Sequence, residues 1–185
     1  MPQFVYRGAT KGGSLTAAQR RGFVDRGATR RIVRPMNRLR LRLQRRLELR
    51  GRATIGKGVR IAVAPGARVV LEDGVVLGDG CRIEASAGTV RIGPRARIGE
   101  RAVLLAHAGI EVGAGARVGD WVLVADAGPA HDDPERPVRH QGLRARPIAI
   151  GTGAIVGVHA AVQADVPAGA TVTPYAVLTE PQSSA

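Results

Sequence analysis

Aliphatic residues recur every six positions along most of this chain, each followed by polar or small residues. The clearest hexads have the form aliphatic–Gly–x–x–small–x and begin at Val112, Val118, Ile150 and Val156. Extra residues separate the hexads only after every third one. The leading aliphatic residues, grouped by coil, are Ile55 and Ile61; Leu71, Leu77 and Ile83; Ile92, Ile98 and Leu104; Val112, Val118 and Val124; Ile150, Val156 and Val162; and Val172 with Leu178.

This six-residue period predicts a mainly β fold, a parallel β-helix with three sides per coil. The fifth hexad position is usually small or β-branched, as at Ala96, Ala102 and Ala116, which is typical of a crowded inner corner. The extra residues should stack at one corner of the coil. Val172 and Leu178, ten residues or more beyond Val162, are expected to lead the first two sides of a last coil.

Residues 1–52 are predicted to form a basic helical arm that precedes the β-helix of residues 53–185. Pro35 suits the first turn of a helix and Gly51 its end. Between them Met36, Leu39, Leu43 and Leu47 form one apolar stripe among arginines. Such a helix would cover the open end of the solenoid, because terminal coils need covering.

The formal net charge of +13 lies entirely in this arm, because residues 1–52 hold 15 basic and 2 acidic side chains. Besides capping, the segment 14–50 could contact an anionic membrane surface or a protein partner. Nucleic acid is not expected, since no aromatic stacking platform accompanies the charge. One cysteine, no signal peptide and no membrane-length apolar run favour a cytoplasmic protein, at most peripheral at the inner face of the membrane.

The repeats, followed by "DAGPAHDDPERPVRHQGLRARPIAIGTGAIVG", resemble the hexapeptide-repeat acyltransferases, in particular their sugar O-acetyltransferase branch. The resemblance covers about residues 53–180. It implies a left-handed β-helix of about five to six coils, a homotrimer with active sites between subunits, and acetyl-CoA as co-substrate. The implied reaction is acetyl transfer to a hydroxyl of a sugar or another carbohydrate-containing acceptor.

The resemblance makes the loop at about 126–147 the active-site loop, with His131 as general base. Asp126 would orient the imidazole ring, although Asp132, Asp133 and Glu135 are alternatives and a merely solubilising role is equally open. Three residues are assigned to the acceptor, and five to acetyl-CoA along the coil after the loop. They are His107, Trp121 and Arg101 for the acceptor, and Arg146, Gly157, His159, Ala160 and Gln163 for the cofactor.

For several of these residues a purely structural role is an alternative to the functional one. Trp121 and His159 share the fourth hexad position on adjacent coils, so they should project side by side, in a ligand groove or in plain trimer packing. His107 should lie beneath the loop, where an exposed structural histidine is the simpler interpretation. Cys81 is expected in the core, and His140 is expected to have no function.

Two other functions remain open at this point. Ile155 and Ala164 replace a Trp and a Lys that the resemblance leads us to expect, so a non-catalytic binding platform that uses the basic arm remains an alternative, against which the presence of His131 argues. A zinc enzyme of the γ-carbonic anhydrase type needs grouped histidines. Because His107, His131 and His159 fall on different corners or in the loop, no metal site is expected.

Overall fold

The computed structural model describes residues 46–130, 133 and 135–179, and in them the chain winds as a parallel β-solenoid. Strands of two to four residues alternate with tight turns. In chain order they are β1 (Leu47–Leu49), β2 (Thr54–Ile55), β3 (Arg60–Val63), β4 (Arg68–Leu71), β5 (Val76–Leu77), β6 (Arg82–Ala85), β7 (Thr89–Ile92), β8 (Arg97–Ile98), β9 (Val103–Ala106), β10 (Gly109–Val112), β11 (Arg117–Val118), β12 (Leu123–Ala125), β13 (Ala127–Pro129), β14 (Leu143–Ala145), β15 (Ile148–Ile150), β16 (Ile155–Val156), β17 (Ala161–Gln163), β18 (Thr171–Val172) and β19 (Val177–Thr179).

Successive strands enter three parallel sheets in rotation, which makes the solenoid three-sided. Sheet A contains β1, β4, β7, β10 and β15 in that order. Sheet B contains β2, β5, β8, β11, β16 and β18, and sheet C contains β3, β6, β9, β12, β17 and β19. The strands β13 and β14 stand apart as an antiparallel pair. The predicted mainly β solenoid with three sheets is therefore confirmed.

The leading aliphatic residues of the hexads stack on one another from coil to coil. In sheet B, Ile55 pairs with Leu77 and Leu77 with Ile98. In sheet C, Ile83 pairs with Leu104 and Leu104 with Val124. This stacking keeps an aliphatic column on the inner face of each sheet, since a parallel ladder places equivalent residues at the same height.

The core consists of these aliphatic columns and of small residues at the inner corners. Leu104, Val112 and Val118 are fully buried, as are the corner residues Cys81 and Ala96. Burial raises the pKa of the Cys81 thiol to about 12. Cys81 therefore belongs to the core, as expected from its hexad position.

Close approach between coils explains the glycine after the leading aliphatic residue in sheet B. A Cβ built on Gly99 would lie 2.5 Å from the carbonyl carbon of Gly119 and 2.6 Å from the nitrogen of Asp120 on the next coil. Real side chains cannot approach a backbone so closely. The Asp120 carboxylate uses this space and accepts a hydrogen bond of 2.8 Å from the Glu100 N–H.

The predicted N-terminal helix is wrong at its C-terminal end. Leu47–Leu49 form strand β1, which pairs with β4 and buries Leu47. Pairing satisfies the backbone and places Leu47 in the core, and this tertiary gain outweighs the helical pattern of the local sequence. The rest of the predicted arm, residues 1–45, lies outside the described residues.

The last coil also differs from the prediction. Val172 pairs with Val156 in sheet B and Leu178 pairs with Val162 in sheet C, so they occupy the second and third sides. Val166 takes the first side through an isolated bridge to Ile150. Val166 follows Val162 by four residues, whereas Val112 follows Leu104 by eight, so the last coil has a shortened step at this corner and not an insertion.

The remaining extra residues do stack at one corner, between the strands of sheet C and those of sheet A. We call it the loop corner; it contains residues 64–67, 86–88, 107–108, 126–147 and 164–165. In the part of the chain that the structure describes, no helix is long and apolar enough to cross a membrane.

Candidate active site

The long insertion at the loop corner is built on a short antiparallel stem. The chain leaves the solenoid after β12, and β13 pairs with β14 with Ala127 opposite Ala145 and Pro129 opposite Leu143. A 3-10 helix, Val138–His140, lies between the two strands. The chain rejoins the solenoid at Pro147, so the insertion lies where the sequence predicted it.

Asp126 anchors the base of this stem to the coil below. Its side chain is fully buried, and its Oδ1 accepts a hydrogen bond of 2.7 Å from the His107 N–H. Its Oδ2 accepts bonds of 2.8 Å and 2.5 Å from the N–H groups of Ala108 and Gly109. Three backbone donors satisfy the buried negative charge, which would otherwise be costly. Its predicted role as orienter of His131 stays a prediction.

His107 lies beneath the loop, as predicted. Its Nδ1 is 3.9 Å from Asp126 Oδ1, which is too long for a hydrogen bond. This nitrogen is buried and has no hydrogen-bond partner in the described part of the chain. The side chain as a whole is 38% exposed, so part of the ring reaches the surface beside the loop.

The general base proposed from the sequence, His131, lies outside the described residues together with Asp132 and Pro134. The described residues on either side of it form hydrogen bonds within the loop. The Ala130 N–H donates to the Gly142 carbonyl at 3.0 Å, and the side chain of Gln141 bonds both the N–H and the carbonyl of Asp133. Sequence reasoning assigned no role to Gln141, because a bond from a side chain to a distant backbone leaves no periodic signal.

The second histidine of the loop, His140, is exposed on its surface. It ends the 3-10 helix in an exposed position, and its Nε2 lies 3.2 Å from the Nε of Arg139, which donates to it.

An open groove of about 550 Å³ runs beside the loop on the outer surface of sheet A. Small residues, including Gly109 and Ala149, form its floor, and it also contains Ala108, whose N–H binds Asp126. Charged side chains of Arg91, Glu111 and Asp165 line it as well. The groove therefore offers both cationic and anionic groups to a polar ligand next to the loop.

A different corner, between sheets B and C, holds the predicted site residues Arg101, Trp121 and His159. Trp121 and His159 project side by side, as predicted, with ring centroids 6.0 Å apart and planes 7° apart. Tyr175 continues the stack at 5.1 Å from His159. The guanidinium carbon of Arg101 lies 4.7 Å from the Trp121 centroid. We call these four residues the aromatic column.

The sequence analysis did not predict Tyr175 as a member of this column, because it placed Val172 on the first side of the last coil and not on the second. Once Val172 is placed in sheet B, the three-residue spacing from Val172 to Tyr175 equals that from Val118 to Trp121. The short step from Val162 to Val166 was the signal that could have shown it.

The residues assigned to acetyl-CoA are divided between the two corners. Arg146 forms an ion pair with Asp165 at 3.3 Å beside the loop, and Gln163 ends β17 in an exposed position. Gly157, His159 and Ala160 lie at the corner of the aromatic column. Ala160 is buried, and a Cβ on Gly157 would collide with the backbone nitrogen of Pro174, so both have structural reasons for their small size. Their roles in cofactor binding stay predictions.

Within one chain the predicted residues thus form two groups at opposite ends of the strands of sheet C. A strand of four residues spans about 13 Å, which is too far for His107 and Trp121 to contact one small acceptor group directly. Among the described residues, no cluster of three or more His, Cys, Asp or Glu side chains could hold a metal ion.

The described part of the chain is therefore a three-sided parallel β-solenoid, and the stem of β13 and β14 supports a long loop at one of its corners. No protein-family model matches the chain. Among curated proteins, a probable acetyltransferase of Mycobacterium tuberculosis is 31% identical to it over 114 residues, which are 61% of this chain and 38% of that protein. The chain therefore spans well under half the length of this relative.

The solved structures found by comparison are two of AntD, an N-acyltransferase from Bacillus cereus. One, a serine-to-cysteine mutant in complex with dTDP-4-amino-4,6-dideoxyglucose and coenzyme A, gives a TM-score of 0.42 at 20% identity and covers 67% of this chain and 71% of that one. The other, in complex with dTDP and 3-hydroxybutyryl-CoA, gives 0.33 at 19% identity and covers 72% and 74%. These scores are too low to establish a common fold.

Proposed function

We propose that this protein is an acyl-CoA-dependent acyltransferase, and that it transfers an acetyl group from acetyl-CoA to a hydroxyl of a sugar or another carbohydrate-containing acceptor. The observation that carries the proposal is the insertion with His131 in its sequence, rooted on a rigid three-sided solenoid at Asp126. Long loops on rigid scaffolds are where binding and catalytic residues concentrate. The similarity to a probable acetyltransferase supports the same class of reaction.

The proposed chemistry is direct transfer without a covalent enzyme intermediate. The imidazole of His131 accepts the proton of the acceptor hydroxyl while that oxygen attacks the thioester carbonyl. The tetrahedral intermediate collapses to the ester and expels the thiolate of coenzyme A. This thiolate then accepts the proton from the imidazolium. A histidine suits both steps because its ordinary pKa lies near neutrality.

The acceptor is proposed to lie in the groove beside the loop. The groove is within the size range of small-molecule sites, and Arg91, Glu111 and Asp165 supply donors and acceptors that hydroxyl groups can use. Its open shape suits a polar acceptor that keeps part of its surface in water.

We further propose a left-handed winding and a homotrimer with the active site between subunits. The two groups of predicted residues lie at opposite ends of the sheet C strands, so a single chain does not unite them. An assembly in which the loop corner of one subunit faces the aromatic column of the next would do so. We keep a cytoplasmic location, with the basic segment 14–50 at an anionic membrane surface, as part of the proposal.

The proposal is tested by comparing acetyl-CoA binding and turnover between the wild-type protein and the variant His131→Ala. Binding is measured by calorimetry, and transfer by thiol release with a panel of sugars. The only cysteine, Cys81, is buried, so it should contribute little background to a thiol assay.

We expect both proteins to bind acetyl-CoA and only the wild type to turn over, with a loss of about 100-fold or more in kcat for His131→Ala. His140→Ala is the matched control, because it removes an exposed histidine from the same loop and should keep full activity. If the wild-type protein does not bind acetyl-CoA, the proposed enzymatic function is refuted and a non-catalytic binding platform is favoured.

A further inference from the structure

One buried side-chain nitrogen at the root of the loop, Nδ1 of His107, has no hydrogen-bond partner among the described residues. It lies 3.9 Å from Oδ1 of Asp126, whose side chain is fully buried. Buried polar atoms without partners are rare in folded proteins and call for an explanation. The carboxylate supplies one, because its charge acts on the imidazole at this distance even though no hydrogen bond forms.

The charge of Asp126 selects the position of the proton on the neutral imidazole of His107. A lone pair on Nδ1 would lie next to the carboxylate and be repelled by it, whereas an N–H at Nδ1 is attracted. A carboxylate beside one ring nitrogen is a common way in which proteins fix the proton of a neutral histidine. Asp126 therefore favours the form with the proton on Nδ1, which leaves a lone pair on Nε2.

The Nε2 atom of His107 is open to solvent at the edge of the groove. Among the described residues it has no hydrogen-bond partner, yet Nδ1 alone is both buried and unpartnered there. The side chain as a whole is 38% exposed, in agreement with an accessible Nε2. The next two residues of the chain, Ala108 and Gly109, line the groove. A ligand in the groove therefore meets the imidazole beside it.

The wall of the groove at residues 107–109 lacks free backbone donors. All three N–H groups of these residues bind the carboxylate of Asp126. Glu111, which also lines the groove, accepts hydrogen bonds only, and Arg91 is paired with it at 3.5 Å. With a lone pair on the imidazole, this side of the groove presents chiefly acceptors. It therefore suits a ligand that supplies hydrogen-bond donors.

We propose that His107 is a specificity-determining residue, and that its Nε2 accepts a hydrogen bond from a hydroxyl or amino group of the acceptor other than the reacting hydroxyl. This inference rests on the proposed function, because it concerns the acceptor of that reaction. It restricts the substrate class to acceptors with a second donor group, as in polyhydroxylated sugars. An analogue without that donor leaves the lone pair without its partner and binds less well.

The first measurement needs no substrate and tests the orientation of the ring by Asp126. In protein that contains isotope-labelled histidine, the NMR shifts of the two ring nitrogens report which of them carries the proton, and His107→Gln identifies the signals of this residue. We expect the neutral ring to carry its proton on Nδ1, and Asp126→Asn to lower the fraction of this form. His140→Ala should leave these signals unchanged. A proton on Nε2 in the wild type would overturn the proposal.

The second measurement compares acceptors in the thiol-release assay with acetyl-CoA. It uses the sugar that turns over fastest and those of its monodeoxy derivatives that keep the acetylated hydroxyl. Because water reaches Nε2, we expect the derivative without the bonded hydroxyl to have a kcat/KM lower by about 10-fold, and not by the much larger factor of a fully buried site.

Two variants of His107 assign this discrimination to the imidazole. His107→Phe keeps a ring without nitrogen, so the parent sugar should fall by about 10-fold and the deoxy derivative should fall no further. His107→Gln has an amide oxygen that can accept the bond, so it should retain part of the preference for the parent sugar. In both variants KM for acetyl-CoA should change less than about 3-fold, which separates an acceptor contact from general damage to the site. His140→Ala should match the wild type.

The inference and the proposed function fail differently. An active wild type that makes no distinction among the derivatives, or a distinction that persists undiminished in His107→Phe, would overturn the specificity role alone. A wild type that binds no acetyl-CoA would overturn the proposed function and the specificity role with it, whatever the NMR shifts show.

Discussion

At the scale of single residues, the aromatic column combines unfavourable backbone geometry with favourable ring contacts. Arg101, Trp121, His159 and Tyr175 have φ angles of 53°, 59°, 58° and 61°, in the left-handed region. This geometry costs a residue with a side chain about 1–2 kcal/mol. Aromatic pairs contribute about 0.5–1.5 kcal/mol each beyond their burial. The stacked rings therefore offset part of the backbone cost.

The middle ring of the column allows the two effects to be separated. We expect His159→Gly to be more stable than His159→Ala by about 1 kcal/mol, because both lose the stack but only alanine keeps the strained geometry. The free energies of unfolding in denaturant give this comparison. Gln163, exposed at the end of β17, is the control position, where glycine should be the less stable of the two. An alanine variant at 159 that equals or exceeds the glycine variant would show that the left-handed geometry carries little strain.

Part of this column could be predicted from the sequence. Counting in sixes places Trp121 and His159 on adjacent coils, since both hexads lie within the regular part of the repeat. It fails for Tyr175 because the chain shortens the corner before Val166. The left-handed backbone at these positions is not predictable either, since glycine normally marks it and here large side chains occupy it.

At the scale of elements, the loop depends on one buried carboxylate at its root. Asp126 accepts three backbone N–H groups of residues 107–109, which a neutral amide cannot do equally well. Asp165 provides a natural comparison, because it accepts one backbone N–H, that of Ala149, and pairs with Arg146, while its side chain is 54% exposed.

We expect Asp126→Asn to lower the free energy of unfolding by about 1–3 kcal/mol, because the amide NH2 must face at least one backbone donor in a buried site. Asp165→Asn should cost less than about 1 kcal/mol, since water replaces its bonds. Denaturant unfolding of the two variants at neutral pH makes the comparison. Equal effects would show that the three buried bonds of Asp126 contribute no more than the exposed hydrogen bond and ion pair of Asp165.

The elements differ in how far their sequence determines them. The position of the loop follows from a twenty-residue interruption between two regular coils, whereas its stem and the bonds of Gln141 depend on contacts that no periodicity records. For Leu47–Leu49 the local sequence pattern is clear but predicts the wrong element. A helical stripe and a terminal Gly51 are present there, yet pairing with β4 and burial of Leu47 decide the outcome.

At the scale of the whole molecule, each coil contacts chiefly the coils before and after it. Within the described residues, strands β8 and β11 of sheet B are paired on both sides, whereas β2 and β18 are paired on one side only. Stability in such repeat structures is the sum of the coils and of the contacts between neighbours. The two ends should therefore open more readily than the middle.

Hydrogen exchange of the full chain should show this order and also test the capping role predicted for the basic arm. We expect peptides covering β8 and β11 to exchange at least about 10-fold more slowly than those covering β18 and β19, because opening an end breaks contacts on one side only. If the arm covers the first coil, peptides covering β2 and β3 should exchange more slowly than those of β18 and β19. Deletion of residues 1–45 should then remove that difference, and the central coils serve as the internal control. Equal exchange at both ends of the full chain would contradict capping, and the excess charge of the arm would then point to a surface or partner outside the solenoid.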